Sequence, residues 1–408
     1  MKKTLWSHDF TIITIGTLVS AIGSTAMNFA LSLVIYDHTS STLMTGVFAA
    51  ISLIPTILLP ILAAPLVDHA VRKNIIYKMD TFNGFLYLGF ALYLTLQPFS
   101  YGMYLIFSLI ISSTGAVYNL AYLSLYPDLI PKGYAQKGYS ISSMIYPGVT
   151  AIFTPVASVL YVRYGFSSIC LLEGLLLLAA AAFEKTIRYE EGLREGKQRF
   201  QFQVYKEQLM EGIHYLGKEK GIRSIYAYMA LTNASGEGVN LMSMALFQSS
   251  PLLNTMMYAF LTTAETAGRI LGAVVHYFVK IPYKKRFTIA VSVYGIYEVF
   301  DIALLFLAYP LMIVNRFVCG FLGVNSMNIR EASTQNYIPS HMRARVNAFF
   351  SVAVALILML SKLVAGILGE LMPYPYVAVL FAGIAMIGIY VLILRNKEVV
   401  KKVYNQDI

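Results

Sequence analysis

The chain has 408 residues, of which 57% are hydrophobic and only 13% charged, with a net charge of +10. Soluble domains carry roughly a quarter charged residues, so a water-soluble globule is excluded. Apolar runs of about twenty residues recur instead, the pattern of an all-α protein that crosses a membrane many times. The positive excess sits in the loops between those runs, which favours membrane topology over nucleic-acid binding.

The first apolar run, Phe10 to Tyr36, is too long for a signal-peptide core and is read as a retained helix. Twelve spans are expected, over 10–36, 43–66, 75–97, 101–126, 140–162, 166–183, 223–248, 252–279, 288–307, 309–329, 345–371 and 375–394. Polar or proline-containing breaks separate them. Asp37 to Ser41 divides the first two, Gln97-Pro98 ends the third, and Pro127-Asp128-Leu129-Ile130-Pro131 ends the fourth. Ser249-Ser250-Pro251 divides the seventh and eighth, and Tyr309-Pro310 opens the tenth.

With the N-terminus in the cytoplasm, nearly all of the 31 Lys and Arg fall on the inner side. Only Arg163 occupies an outer loop, and Arg269, Arg316 and Lys362 lie within spans. This asymmetry follows the positive-inside rule and requires an even number of spans with both termini inside. The longest loop, 184–222, separates residues 1–183 from 223–408, giving two six-span halves joined by a linker. Within the linker, Phe202, Tyr205, Leu209, Ile213 and Leu216 recur at helical spacing among charges, as in an amphipathic helix on the inner surface. The halves repeat weakly at one constant offset. It carries Ala64 to Gly272, Gly115 to Gly323 and Ile130-Pro131 to Ile338-Pro339. Such duplication accompanies transporters whose site lies between two repeats. The two cysteines, Cys170 and Cys319, lie inside apolar runs. No Gly-rich phosphate loop, His/Cys metal cluster or nucleophile motif is present, so no enzyme and no cofactor is expected.

Between the second and third spans, Ala64-Pro65-Leu66-Val67-Asp68-His69-Ala70-Val71-Arg72-Lys73 packs an acid, a His and two bases into a tight loop. Its spacing resembles the G-x-x-x-D-R-x-G-R-K signature of the major facilitator superfamily, with His69 and Val71 departing from it. Ser20-Ala21-Ile22-Gly23, Leu53-Ile54-Pro55-Thr56, Pro127 to Pro131 and Glu211-Gly212-Ile213-His214-Tyr215-Leu216 are similar to the drug:proton antiporter branch that includes macrolide-efflux proteins. Two features of that branch are altered. Its fifth-helix Gly-Pro motif is reduced to Thr154-Pro155-Val156-Ala157-Ser158, and nothing from Leu105 to Tyr126 is charged. The resemblance implies two pseudo-symmetric six-helix bundles in a bacterial inner membrane, with Asp68, Arg72 and Lys73 latching the cytoplasmic side. It also implies that the first, fourth, seventh and tenth helices line a central cavity.

Ionisable groups within spans are costly and therefore candidates for function. Glu237, Glu265, Glu298 and Asp301 are the proton-coupling candidates, and Arg269, Arg316 and Lys362 their basic partners. Glu237, between two glycines in Asn233-Ala234-Ser235-Gly236-Glu237-Gly238, leads them; a purely structural pair with Arg316 is the competing reading. Glu265 and Arg269 are four apart on one helix face, and Glu298 and Asp301 three apart on another. Asp80 is placed near an interface and Glu173, on a peripheral helix, in a structural role. Asn28, Tyr118, Asn119, Tyr122 and Asn233, with Glu237, are the expected substrate-cavity groups. The expected function is monomeric, lipid-embedded, proton-driven efflux of amphipathic or cationic small molecules. A same-fold importer or uniporter competes, as does a non-transporting membrane sensor.

Overall fold

The computed structural model describes residues 5–68, 70–131, 134–190, 202–278 and 281–405. Every regular element among them is helical. Apolar runs in lipid have no external partner for their peptide groups, so each must close its hydrogen bonds within its own helix. Among the described residues eight helices are long and apolar enough to cross a membrane, which makes this a multi-pass membrane protein.

In chain order the helices are α1 (His8–Thr39), α2 (Thr42–Asp68), α3 (Arg72–Leu96), α4 (Tyr101–Leu129) and α5 (Ala135–Glu184). Then come α6 (Phe202–Lys218), α7 (Lys220–Ser249), α8 (Thr255–Phe278), α9 (Arg286–Ala303), α10 (Tyr309–Tyr337), α11 (Ser340–Leu371), α12 (Tyr374–Gly388) and α13 (Lys397–Tyr404). A π-helical stretch, Ile389–Leu394, extends α12. The fourth helix does not stop at Pro127 but runs on to Leu129.

Within α5, Gly165 breaks the helix at φ 73° and ψ 180°. Ser168 Oγ reaches back to the Leu160 carbonyl at 3.5 Å, across eight residues that a straight helix would hold about 12 Å apart. The chain therefore folds back at Gly165, and α5 comprises two arms. A side chain at that φ would be strained, which explains a glycine there.

The chain divides into two compact units. Unit 1 holds residues 1–39 and 51–200; unit 2 holds 40–50 and 201–408. In unit 1, α1 and α3 pack on α5, and α4 on α3 and α1. Phe10, Ile13, Val67, Leu125 and Ile187 form its core at one end. At the other, Phe90 stacks on Phe107 with ring centres 3.9 Å apart. In unit 2, α8 packs on α10, α7 on α11 and α12, and α9 on α10 and α12. A side chain on Gly268 or Gly320 would overlap the opposing backbone of α10 or α8, so these glycines set the close α8–α10 approach.

Two features of unit 2 differ from the sequence reading, and a third concerns the linker helix that it expected. The first turns of α2 belong to it: Ser40, at φ 49°, joins them to α1. Glu370 on α11 accepts hydrogen bonds from Ser41 Oγ (2.6 Å), Thr42 Oγ1 (3.2 Å) and the Leu43 N–H (3.1 Å), capping that helix start from outside it. Second, the expected C-terminal tail is a helix, α13, whose Val400, Val403 and Tyr404 are fully buried. Its Tyr404 hydroxyl pairs with that of Tyr294 at 2.6 Å, and Asn405 Oδ1 accepts the Phe287 N–H at 3.0 Å in the first turn of α9. Burial pushes the Tyr404 phenol well above its usual range. Third, α6 is anchored at Leu216 and by a Glu211–Arg345 ion pair to α11. The linker residues 191–201 lie outside the described residues.

Candidate functional site

Each unit encloses a polar cavity. That of unit 1, about 300 Å³, is lined by α1, α3, α4 and both arms of α5. It gathers Asn28, Tyr118, Asn119 and Tyr122, the four unit 1 cavity residues expected from sequence. The Tyr122 hydroxyl accepts a hydrogen bond from Thr17 Oγ1 at 3.0 Å. Two acids join them. Asp80 and Glu173, read from sequence as interfacial and structural, are each only 3% exposed and line this cavity. Depth along a span does not reveal which way a side chain faces, and both helices turn their acids inward. A third acid, Glu184, was counted with the linker but is 1% exposed at the end of α5, where the Tyr118 hydroxyl donates to it at 3.3 Å.

The cavity of unit 2, about 210 Å³, lies among α7, α8, α9 and α10. Asn233, Arg269 and Glu298 line it, together with Arg330, which the sequence reading did not single out. The offset that superposes Gly115 on Gly323 also carries Ser24 to Thr232, Tyr118 to Ser326 and Tyr122 to Arg330, and all eight positions line the two cavities. The repeat is thus expressed as two cavities built from equivalent positions with different chemistry.

Beside the unit 2 cavity, a charge chain crosses three helices. Arg316 of α10 pairs with Asp301 of α9 and lies 3.9 Å from Glu265 of α8, which binds Arg269 at 2.7 Å. Asn315 Oδ1 also accepts from Arg316 Nε at 3.2 Å. Two acids and two bases balance. Arg316 is therefore not the partner of Glu237, which pairs with Lys362 of α11 in a partly exposed ion pair. The glycines beside Glu237 do not open α7, which runs unbroken through them; Gly238 instead faces the ring of Phe381. Glu298, three residues before Asp301, forms no ion pair among the described residues, and its Oε2 is buried there without a partner.

Two loop bases make contacts within unit 1. Arg72 lies 3.8 Å from Asp128 at the end of α4, and Lys73 donates to the carbonyls of Tyr189 (3.0 Å) and Ile187 (3.5 Å). The side chain of Asp68 lies outside the described residues, as do those of His276 and Lys280. Among the described residues no group of His, Cys, Asp and Glu is arranged to hold a metal.

Long apolar helices, two units of related design and polar cavities inside them are the features of a membrane transporter. The sequence profile of the Major Facilitator Superfamily matches residues 13–300, and the chain belongs to that family. It is a transporter, not an enzyme. No curated protein matches by sequence. Among solved structures the fold is shared with the nucleoside transporter NupG, with a TM-score of 0.72 at 12% identity over 95% of this chain and 99% of that one. It is shared also with a POT family transporter in complex with 5-aminolevulinic acid (0.70, 10%, 96% of each chain). A bacterial homolog of the human lysosomal transporter Spinster gives 0.61 at 14%, over the whole of both chains.

Proposed function

We propose that the protein is a secondary active transporter of the inner bacterial membrane. It exports amphipathic or cationic small molecules by alternating access, in exchange for protons. Its twelve spans are α1 to α4, the two arms of α5, and α7 to α12, forming two six-helix halves with both termini in the cytoplasm. The amphipathic helices α6 and α13 lie on the inner surface. The protein works as a lipid-embedded monomer, and the proton gradient is its energy source.

One observation carries this reading: acids within the spans outnumber the bases that answer them. Glu173 and Glu298 each bury a carboxyl oxygen that meets no donor among the described residues. An isolated charge in such surroundings costs several kcal/mol or more, so these groups hold protons until a cation or an opening to water replaces them. Glu237 is the coupling acid in this scheme. Its pair with Lys362 is 31% and 21% exposed, open enough for a proton to compete with the ammonium. Asp68, Arg72 and Lys73 latch the inner side.

A screen of the purified protein for thermal stabilisation by amphipathic compounds, at two pH values, tests the reading. Coupling requires that ligand binding and protonation shift one another reciprocally. Stabilisation independent of pH would contradict it. A second reading, import of a small metabolite, is compatible with the nucleoside and peptide transporters that share the fold. Flux in oriented vesicles with the proton gradient reversed separates the two.

A further inference from the structure

The two cavities differ in one respect that decides what each can bind. In unit 2 the acid Glu298 shares the wall with Arg269 and Arg330. In unit 1 the position equivalent to Arg330 is Tyr122, and among the described residues no Lys, Arg or His lines the cavity. Its charge-bearing groups are two acids, Asp80 from α3 and Glu173 from the second arm of α5. A third acid, Glu184, lies behind Tyr118, whose hydroxyl donates to it. Among the described residues of the lining no base answers these acids.

Neither acid is satisfied by its surroundings. The hydrogen bond to Asp80 comes from Ser20 Oγ at 3.5 Å, the outer limit for such a bond. Glu173 Oε2 has no donor among the described residues. It fills the notch left by Gly23 on α1, and a methyl group there would overlap the carboxyl. Gly23 lies between Ser20 and Ser24, both cavity-lining, so the carboxyl stands at the cavity wall. The tyrosines Tyr87, Tyr118, Tyr122 and Tyr146 complete the lining. Their ring faces attract organic cations, and their hydroxyls can orient one.

We propose that the unit 1 cavity binds an organic cation, a small molecule bearing an ammonium group, with the charge between Asp80 and Glu173 and its apolar part against the tyrosines. The cation brings the positive charge that the unit 1 lining lacks and that the unit 2 lining holds in Arg269 and Arg330. This deepens the transporter reading by naming a substrate class, and it rests on that reading only for transport; binding is tested without it.

The test is calorimetric titration of the purified full-length protein with benzyltrimethylammonium, with benzyl alcohol as the neutral counterpart and sodium chloride as the inorganic cation. Saturable binding is expected for the ammonium alone. Asp80→Asn and Glu173→Gln should each weaken it at least tenfold. Because each removes a buried acid that has no base, the melting temperature without ligand should stay or rise, whereas loss of a structural acid would lower it. Gly23→Ala keeps both acids but takes the space of the Glu173 carboxyl, and should also weaken binding. The proposal is overturned if both neutral variants bind as the parent does, if sodium saturates the site equally, or if both neutral variants fail to fold. Intact binding without flux in proteoliposomes would count against the transporter reading alone.

Discussion

Arg316 sits between Asp301 and Glu265, 7% exposed, and is the hinge of the charge chain in unit 2. Arg316→Met leaves both acids in a poor solvent with one base between them. It should cost about 3–5 kcal/mol of stability, seen as a lower melting temperature in detergent. Glu298→Gln should do the opposite, since it removes an acid with no donor on Oε2; its melting temperature should hold or rise. The two results together separate the balanced network from the surplus acid. Part of this chemistry is written in the chain. The four-residue spacing of Glu265 and Arg269 places them on one face whatever surrounds the helix. Partners on different helices are not written there, because the rotation of each helix about its axis is fixed only by packing. That is why Lys362, not Arg316, faces Glu237, and why Asp80 and Glu173 prove to line a cavity.

Among the elements, α13 shows how a pattern can be present in the sequence and overlooked. Its apolar residues Val400, Val403 and Tyr404 fall on one face between Lys397, Lys401 and Lys402, but eight residues at a chain end read as a charged tail. In the structure that face packs against α7, α9 and α10. Deletion of residues 397–408 should therefore lower the melting temperature of the whole protein, and Tyr404→Phe, which keeps the ring and loses the bond to Tyr294, should lower it by about 1 kcal/mol equivalent. The Gly165 reversal was legible as a break near Arg163, because a 50-residue helix would outrun any bilayer. The Glu370 cap was not legible: its three donors lie more than 300 residues away in sequence. Glu370→Ala should loosen the start of α2 and speed hydrogen exchange at Leu43, with little change in α3.

For the molecule as a whole, the proposed topology, read from the distribution of Lys and Arg, has both termini and the 184–222 linker on the inner side. The free cysteines Cys170 and Cys319 are buried, so an introduced cysteine supplies the accessible label. Leu252→Cys, at a site 85% exposed in the α7–α8 connection, should react with an impermeant maleimide in intact cells; Lys397→Cys should react only after permeabilisation. The central claim is that proton movement and substrate movement are one process passing through Glu237. It is tested most directly in proteoliposomes that carry a pH indicator inside and receive benzyltrimethylammonium outside. The parent protein should show proton flux that depends on the ammonium, and Glu237→Gln should still bind the ammonium but show no such flux. Equal flux in parent and variant, or ammonium transport without any proton movement, would contradict the account.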